Sequence, residues 1–239
     1  MKIILFTDTH ANLPALQAFL RRAAQEGYDL LVHLGDAVAI GPYPAECLEL
    51  LLGLERCLFL MGNHDAWLAH GLPANYPEWM SEGEAAHQSW TQAQVPAEMA
   101  AAVASWPWQL APVWDGVPVS LLHYALGEPP NLFKPIINAP TPADLEALFA
   151  PLATPYIFYG HHHPFSDLTG RSRFINPGSL GCSAEPVARY TVLTCAGGQA
   201  EVRHDGVPYD DSPIWPTFTS RAVPERAFIN KIFYSGRLH

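Results

Sequence analysis

The stretch KIILFTDTHANLPALQAFLRRAAQEGYDLLVHLGD, residues 2–36, holds two apolar runs joined by a segment with helical spacing. Residues 2–6 are short, apolar and free of Gly and Pro, which predicts a buried strand. Pro14 suits the first turn of a helix, where a missing N–H costs nothing. Leu16, Phe19, Leu20 and Ala23 then share one face. Residues 29–35, DLLVHLG, repeat the strand signature. Strand, helix and strand in direct succession form the unit of a parallel sheet, because parallel neighbours need a crossover.

The pattern extends outward from there. PAECLELLLGL (44–54) predicts a second helix and CLFLMG (57–62) a third strand. After Asp65 the character changes: residues 66 to about 110 are rich in Ala, Trp, Gln and Glu at helical spacing, which predicts a helical insertion. Trp67, Trp79, Trp90, Trp106 and Trp108 fall in it, suited to a small satellite core or to stacking on a nucleotide base. Strand-like runs return at VPVSLLH (117–123), YIFYGH (156–161), RFINPGS (173–179) and RYTVLTC (189–195), with a helix near 142–149. Few helices separate them, so a second sheet is expected. From about residue 208 the Pro-rich chain reads as an extended tail that wraps the domain or meets a partner. It contains one amphipathic piece, PERAFINKIF (224–233). The expectation is one α/β domain over residues 1–239.

Composition narrows the function. The formal net charge of -10 argues against a long nucleic acid as partner. Cys47, Cys57, Cys182 and Cys195 show no CxxC spacing, which argues against a zinc–thiolate site. The chain leads from Met1-Lys2 straight into IILF, too short for a signal segment or a membrane span. The expectation is a cytoplasmic protein with reduced thiols and no membrane partner.

The polar residues gather where the apolar strands end: FTDTH, LGD, MGNHD, LLH and YGHHH. Ligands of open α/β sheets bind beyond the carboxyl ends of strands. In an extended segment residues i and i+2 face the same way, so Asp8 and His10 can reach one point. His161 and His163 can do the same, with His162 turned elsewhere. Mixed carboxylate and imidazole ligands suit manganese, iron or zinc better than calcium. There are too many for one tetrahedral ion, whereas two ions sharing a carboxylate would use them all. Singly, His123 reads as a hydrogen-bonded buried side chain, GNHD as a turn and GHHH as a solvated loop. Jointly, at five strand ends, they read as a metal centre.

DTH (8–10), GD (35–36), GNHD (62–65), His123 and GHHH (160–163) resemble the motifs of the calcineurin-like metallophosphoesterases, over about residues 1–195. GDAVAIGPYP (35–44), SWTQAQ (89–94) and INPGSLG (175–181) look like the bacterial and archaeal phosphoesterase branch often labelled diadenosine-tetraphosphatase-like. The resemblance implies a four-layer α/β/β/α sandwich and two divalent ions, manganese first, with iron or zinc also suited. Carried over by motif, Asp8, His10, Asp36 and His163 would hold one ion. Asp36, Asn63, His123 and His161 would hold the other, with Asp36 bridging. Asn63 and His64 would meet the substrate phosphate, and a protonated His64, oriented by Asp65, would serve as general acid. The implied reaction is attack of a metal-bridging hydroxide on a small phosphodiester or phosphomonoester, nucleotides included. A nuclease acting on short nucleic acid and a non-catalytic scaffold for protein partners are the alternatives. Oligomerisation is left open. Ala11 stands where the family often has Gly, and His162 where it has a small polar residue. The Arg that phosphoprotein phosphatases of this superfamily carry after the metal-binding Asp is missing from GDAVAIG, which points away from a phosphoprotein substrate.

Overall fold

The computed structural model describes residues 1–72, 80–128 and 133–239. The chain opens with β1 (Lys2–Phe6), α1 (Leu13–Glu26), β2 (Leu30–His33), α2 (Pro44–Leu52) and β3 (Cys57–Phe59). Asn12 starts α1 by accepting from Ala15 N at 3.1 Å, with Pro in the first turn, and Gly27 at φ 70° ends it. β1 pairs in parallel with β2, and β2 with β3, as the alternation of strands and helices predicts.

Three helices follow: α3 (Asn63–His70), α4 (Glu82–Gln94) and α5 (Ala97–Val103). The expected helical insertion is thus helical only to Val103, because residues 109–110 already belong to a sheet. The second half brings β4 (Gln109–Leu110), β5 (Val113–Trp114), β6 (Val117–Leu122), α6 (Pro142–Leu148), β7 (Tyr156–Phe158), β8 (Ser166–Thr169) and β9 (Arg173–Asn176). The long strands β10 (Val187–Ala196) and β11 (Gln199–Pro208) come next, then α7 (Ile214–Ser220) and α8 (Arg226–Phe233). The segment expected to be an extended tail therefore forms two helices. Ile214, Phe218, Ile229 and Tyr234 bury there in the core beside α1 and α2, which fixes it to the body of the molecule.

One sheet runs β11-β10-β1-β2-β3; the other runs β4-β6-β7-β9-β8, with β5 paired to β6. Strand alternation sorts the layers. Ile3 and Leu5 of β1 meet Val119, Leu121, Phe158 and Ile175 between the sheets. Ile4 and Phe6 turn outward onto Leu16, Phe19, Leu48 and Leu51 of α1 and α2. On the far side Leu145 and Leu148 of α6 cover Ile157 and Phe174. The order is helix, sheet, sheet, helix, as expected. Among the described residues no helix is long and apolar enough to cross a membrane.

Candidate metal centre

The carboxyl ends of β1, β2, β6 and β7 and the start of α3 meet at one cleft. Asp8 and His10 follow β1, and Asp36 follows β2. Asn63 and His64 open α3, His123 follows β6, and His161 and His163 follow β7. His10 Nε2 lies 3.5 Å from Asp8 Oδ1, 3.8 Å from Asp36 Oδ2 and 2.9 Å from His163 Nε2. His163 Nε2 is 3.6 Å from Asp8 Oδ1. On the other side of Asp36, His123 Nε2 is 3.2 Å from Oδ2 but outside hydrogen-bond geometry. Ligand atoms of Asp36, His123 and His161 lie within 4.8 Å of one another. His162 belongs to none of the ligand-distance groups among the described residues.

The convergence does not arise as the i, i+2 spacing suggested. Asp8, His10, Asp36, His161 and His163 all have positive φ, between 46° and 68°. Each is a tight left-handed turn, not an extended segment, at a cost of about 1–2 kcal/mol per residue. The surroundings impose it. Asp8 N donates to Gly35 O at 2.9 Å and His10 N to Asp36 O at 3.0 Å. Gly181 N and Ser179 Oγ both donate to Asp8 O, at 3.0 and 2.8 Å. Two glycines let the turns crowd together. A Cβ on Gly62 would sit 2.2 Å from Asp36 Oδ1, and one on Gly160 would sit 2.1 Å from Thr7 Oγ1.

Backbone carbonyls aim the imidazoles. His10 Nδ1 pairs with Val38 O at 3.2 Å and His123 Nδ1 with Leu34 O at 2.8 Å, so Nδ1 carries the proton and Nε2 faces the cleft. Burial works against the charge on Asp8, yet the surrounding His10, His123 and His163 hold its pKa well below the usual carboxylate range. Asp36 is likewise held low, against burial, by His123, His64 and His10. Burial depresses His161 to about 3 and His163 to about 4. For His123 burial is outweighed by the Asp36 carboxylate, and its pKa rises to about 9. For His10 too burial is outweighed, by the Asp8 and Asp36 carboxylates, and its pKa is raised. His161 and His163 are thus held neutral, the state that metal ligation requires, while the two carboxylates draw protons to His10 and His123, protons that a bound cation would displace.

His64 and Asp65 depart from expectation. Asp65 does not hold the His64 ring. As the N3 residue of α3 its side chain turns back to the helix start, where Oδ2 accepts from Asp36 N at 2.7 Å and Gly62 N at 3.1 Å. Its Oδ1 accepts from Ala37 N at 2.9 Å. The ring is held instead by Gln88 of α4, whose Nε2 lies 2.5 Å from His64 Nδ1. An amide NH2 can only donate, so Nδ1 accepts and the ring proton sits on Nε2. Burial pushes the pKa of His64 down to about 3 against the pull of Asp36, so the ring is neutral and not the imidazolium expected of a general acid.

Two neighbours escaped the sequence reading. Gln88 is buried together with His87 and Thr91 on the otherwise polar α4, and that polar yet buried stripe was the available signal. The Cys182 thiol lies within 4.8 Å of ligand nitrogens of His10 and His163. Nothing in its spacing marks it. Among the tryptophans, Trp106 stacks on Phe59 in the core, and Trp90 and Trp108 pack half-buried against it. Trp67 stands edge-on to His64 with centroids 5.0 Å apart. Trp79 lies outside the described residues.

The model of the calcineurin-like phosphoesterase superfamily domain matches residues 1–198. A hypothetical protein from Pyrococcus horikoshii has a similar solved structure, with a TM-score of 0.82 and 21% identity over 100% of this chain and 99% of that one. The metallophosphoesterase from Sphaerobacter thermophilus aligns with a TM-score of 0.71 and 26% identity over 96% and 97% of the two chains. Among curated proteins, an uncharacterized protein of Methanocaldococcus jannaschii is 43% identical over 63 residues. That stretch is 26% of each chain, so the match spans about a quarter of that relative's length.

Proposed function

Because the chain belongs to the calcineurin-like phosphoesterase superfamily, we propose that it hydrolyses a small phosphodiester or phosphomonoester at a centre for two divalent ions. One observation carries the reading. Asp8 Oδ1, Asn63 Oδ1 and His123 Nε2 are buried, come from three separate segments, and have no hydrogen-bond partner among the described residues. Buried polar atoms left unpaired cost about 1–3 kcal/mol each, so three beside one cleft indicate a missing electrophile. The donor set, oxygen and imidazole nitrogen, fits manganese, iron or zinc. Manganese is the ion we favour.

Asp8, His10, Asp36 and His163 would hold one ion and Asp36, Asn63, His123 and His161 the other. The bound ions would supply Lewis acidity, drawing charge from the phosphoryl oxygens and making water acidic enough to attack near neutral pH. The chain's own contribution is preorganisation. The left-handed turns fix the donors before substrate arrives, and the glycines at 62 and 160 allow that packing. His64, held neutral with its proton on Nε2, donates a hydrogen bond to a phosphoryl or leaving oxygen. Asp65 contributes by fixing the Asp36 and Gly62 backbone. The net charge of -10 favours small phosphoesters over long nucleic acid.

The test is metal content followed by hydrolysis. The purified chain should bind about two equivalents of Mn2+ and cleave bis-p-nitrophenyl phosphate or p-nitrophenyl phosphate. Chelator should abolish the reaction and added Mn2+ restore it. A chain that takes up no divalent ion and cleaves neither ester would refute the reading.

A further inference from the structure

A pocket opens beside His64 between α3, α4 and α8. Trp67 of α3 and Phe228 and Phe233 of α8 give it aromatic walls, and Gln88 of α4 ties it to the His64 ring. Phe233 also lies 5.6 Å, centroid to centroid, from the ring of His163. The aromatic lining therefore reaches both a proposed metal ligand and the hydrogen-bond donor at the cleft. Two of the three helices, α4 and α8, hold none of the proposed ligands. α8 lies wholly beyond residue 198, where the family match ends. Apart from His64, the pocket is thus built by parts of this chain outside the metal motifs.

Its chemistry is selective. Phe228 is 49% exposed, an apolar ring that water covers unless something else does. The charged groups on the walls are two carboxylates, Glu84 and Glu225, and among the described residues no Lys or Arg lines it. Residues 73–79 and 129–132 contain neither residue type. Such a pocket attracts a flat apolar group and repels an additional phosphate.

We infer that this pocket receives the leaving group of the phosphoester and selects a flat aromatic or heteroaromatic alcohol that carries no phosphate of its own. The inference rests on the reading of the adjacent cleft as a phosphoesterase centre. His64 both lines the pocket and brings a ring nitrogen within 4.8 Å of ligand atoms of His10 and Asp36, which marks the pocket side as the leaving side.

The experiment compares aryl methyl phosphates with alkyl methyl phosphates whose leaving alcohols are matched in acidity, so that chemistry is held constant and shape varies. The Mn2+-loaded wild type should favour the aryl esters by about tenfold or more in kcat/KM. Diadenosine tetraphosphate, with its polyphosphate leaving group, should be a poor substrate. Phe228→Ala should erase most of the aryl preference through KM; Phe228→Tyr should keep it. Thermal melts check that both variants fold, as substitution of a half-exposed ring allows. Calorimetric binding of phenyl methylphosphonate against its butyl counterpart gives a second readout that needs no turnover. Equal handling of aryl and alkyl esters, or an aryl preference unmoved by Phe228→Ala, overturns the pocket while leaving the phosphoesterase reading intact. Absence of any hydrolysis, with Phe228-dependent phenyl binding retained, overturns the reaction and leaves the pocket standing.

Discussion

Asp65→Asn separates two roles for one carboxylate. In the structure its two oxygens accept three buried backbone N–H groups, from Asp36, Gly62 and Ala37, and tie the turn after β2 to the start of α3. Asn keeps one acceptor oxygen. Its NH2 must then face at least one of those N–H groups, donor against donor. Burial and the neighbouring Asp36 carboxylate push the Asp65 pKa up to about 7, so the comparison is made above that pH, where losing one charge-assisted bond and leaving its donor buried costs about 2–3 kcal/mol. Asp65→Ala strands all three donors, at about 5 kcal/mol, which is a third or more of the ~5–15 kcal/mol that typically holds a domain together. Urea unfolding followed by far-UV circular dichroism, in chelator so that ions do not add their own stabilisation, reads these values directly. The midpoint should fall for Asn and further for Ala. If Asp65→Asn stays within about 0.5 kcal/mol of wild type while kcat collapses, the carboxylate acts through the His64 ring and the reasoning is wrong.

His64→Ala should lower kcat by about 10²-fold with metal content unchanged. Because burial depresses the His64 pKa to about 3, its ring is uncharged at every pH above about 5. The pH profile of kcat in that range should therefore keep its shape in His64→Ala, and an alkaline limb lost in the variant would count against the neutral donor. Gly62→Ala puts a methyl 2.2 Å from Asp36 Oδ1, so calorimetric titration should show at least one Mn2+ bound about tenfold or more weakly. Asp36→Asn should abolish hydrolysis, whereas His162→Ala should keep both the metal content and, within about twofold, the activity measured with bis-p-nitrophenyl phosphate.

Much of the fold is legible because its strands are apolar runs. β1, β2, β3, β6, β7, β9 and β10 all fall on segments singled out from the sequence. β11 escapes because QAEVRHDGVP sits at a sheet edge and buries little, so its residues need not be apolar. α7 is masked by Pro216 within IWPTFTS. At the site, residue types at strand ends are enough to single out the Asp and His side chains that the structure brings together. Their backbone was not readable, since nothing in DTH or GHHH announces a left-handed turn. That geometry comes from hydrogen bonds to Gly35, Asp36 and Gly181, far along the chain or across the sheet. The role of Asp65 was misjudged for a related reason: adjacency in sequence to His64 says little about contact on a helix, where i and i+1 diverge. Gln88, 24 residues away, makes the contact instead.

The central place of β10 beside β1 has a consequence for how the chain is made. Lys2 pairs with Thr194 and Leu5 with Thr191, so β1 waits for a partner strand that is synthesised much later. The turn that holds Asp8 is pinned by Ser179 and Gly181, which are synthesised late as well. Until then β1 carries an open edge and the donors at its end have no fixed direction. Contacts of such separation slow folding, because the loop must close before the pairing stabilises it. A nascent chain therefore displays Asp8 and His10 without their folded geometry until Ser179, Gly181 and β10 have been made.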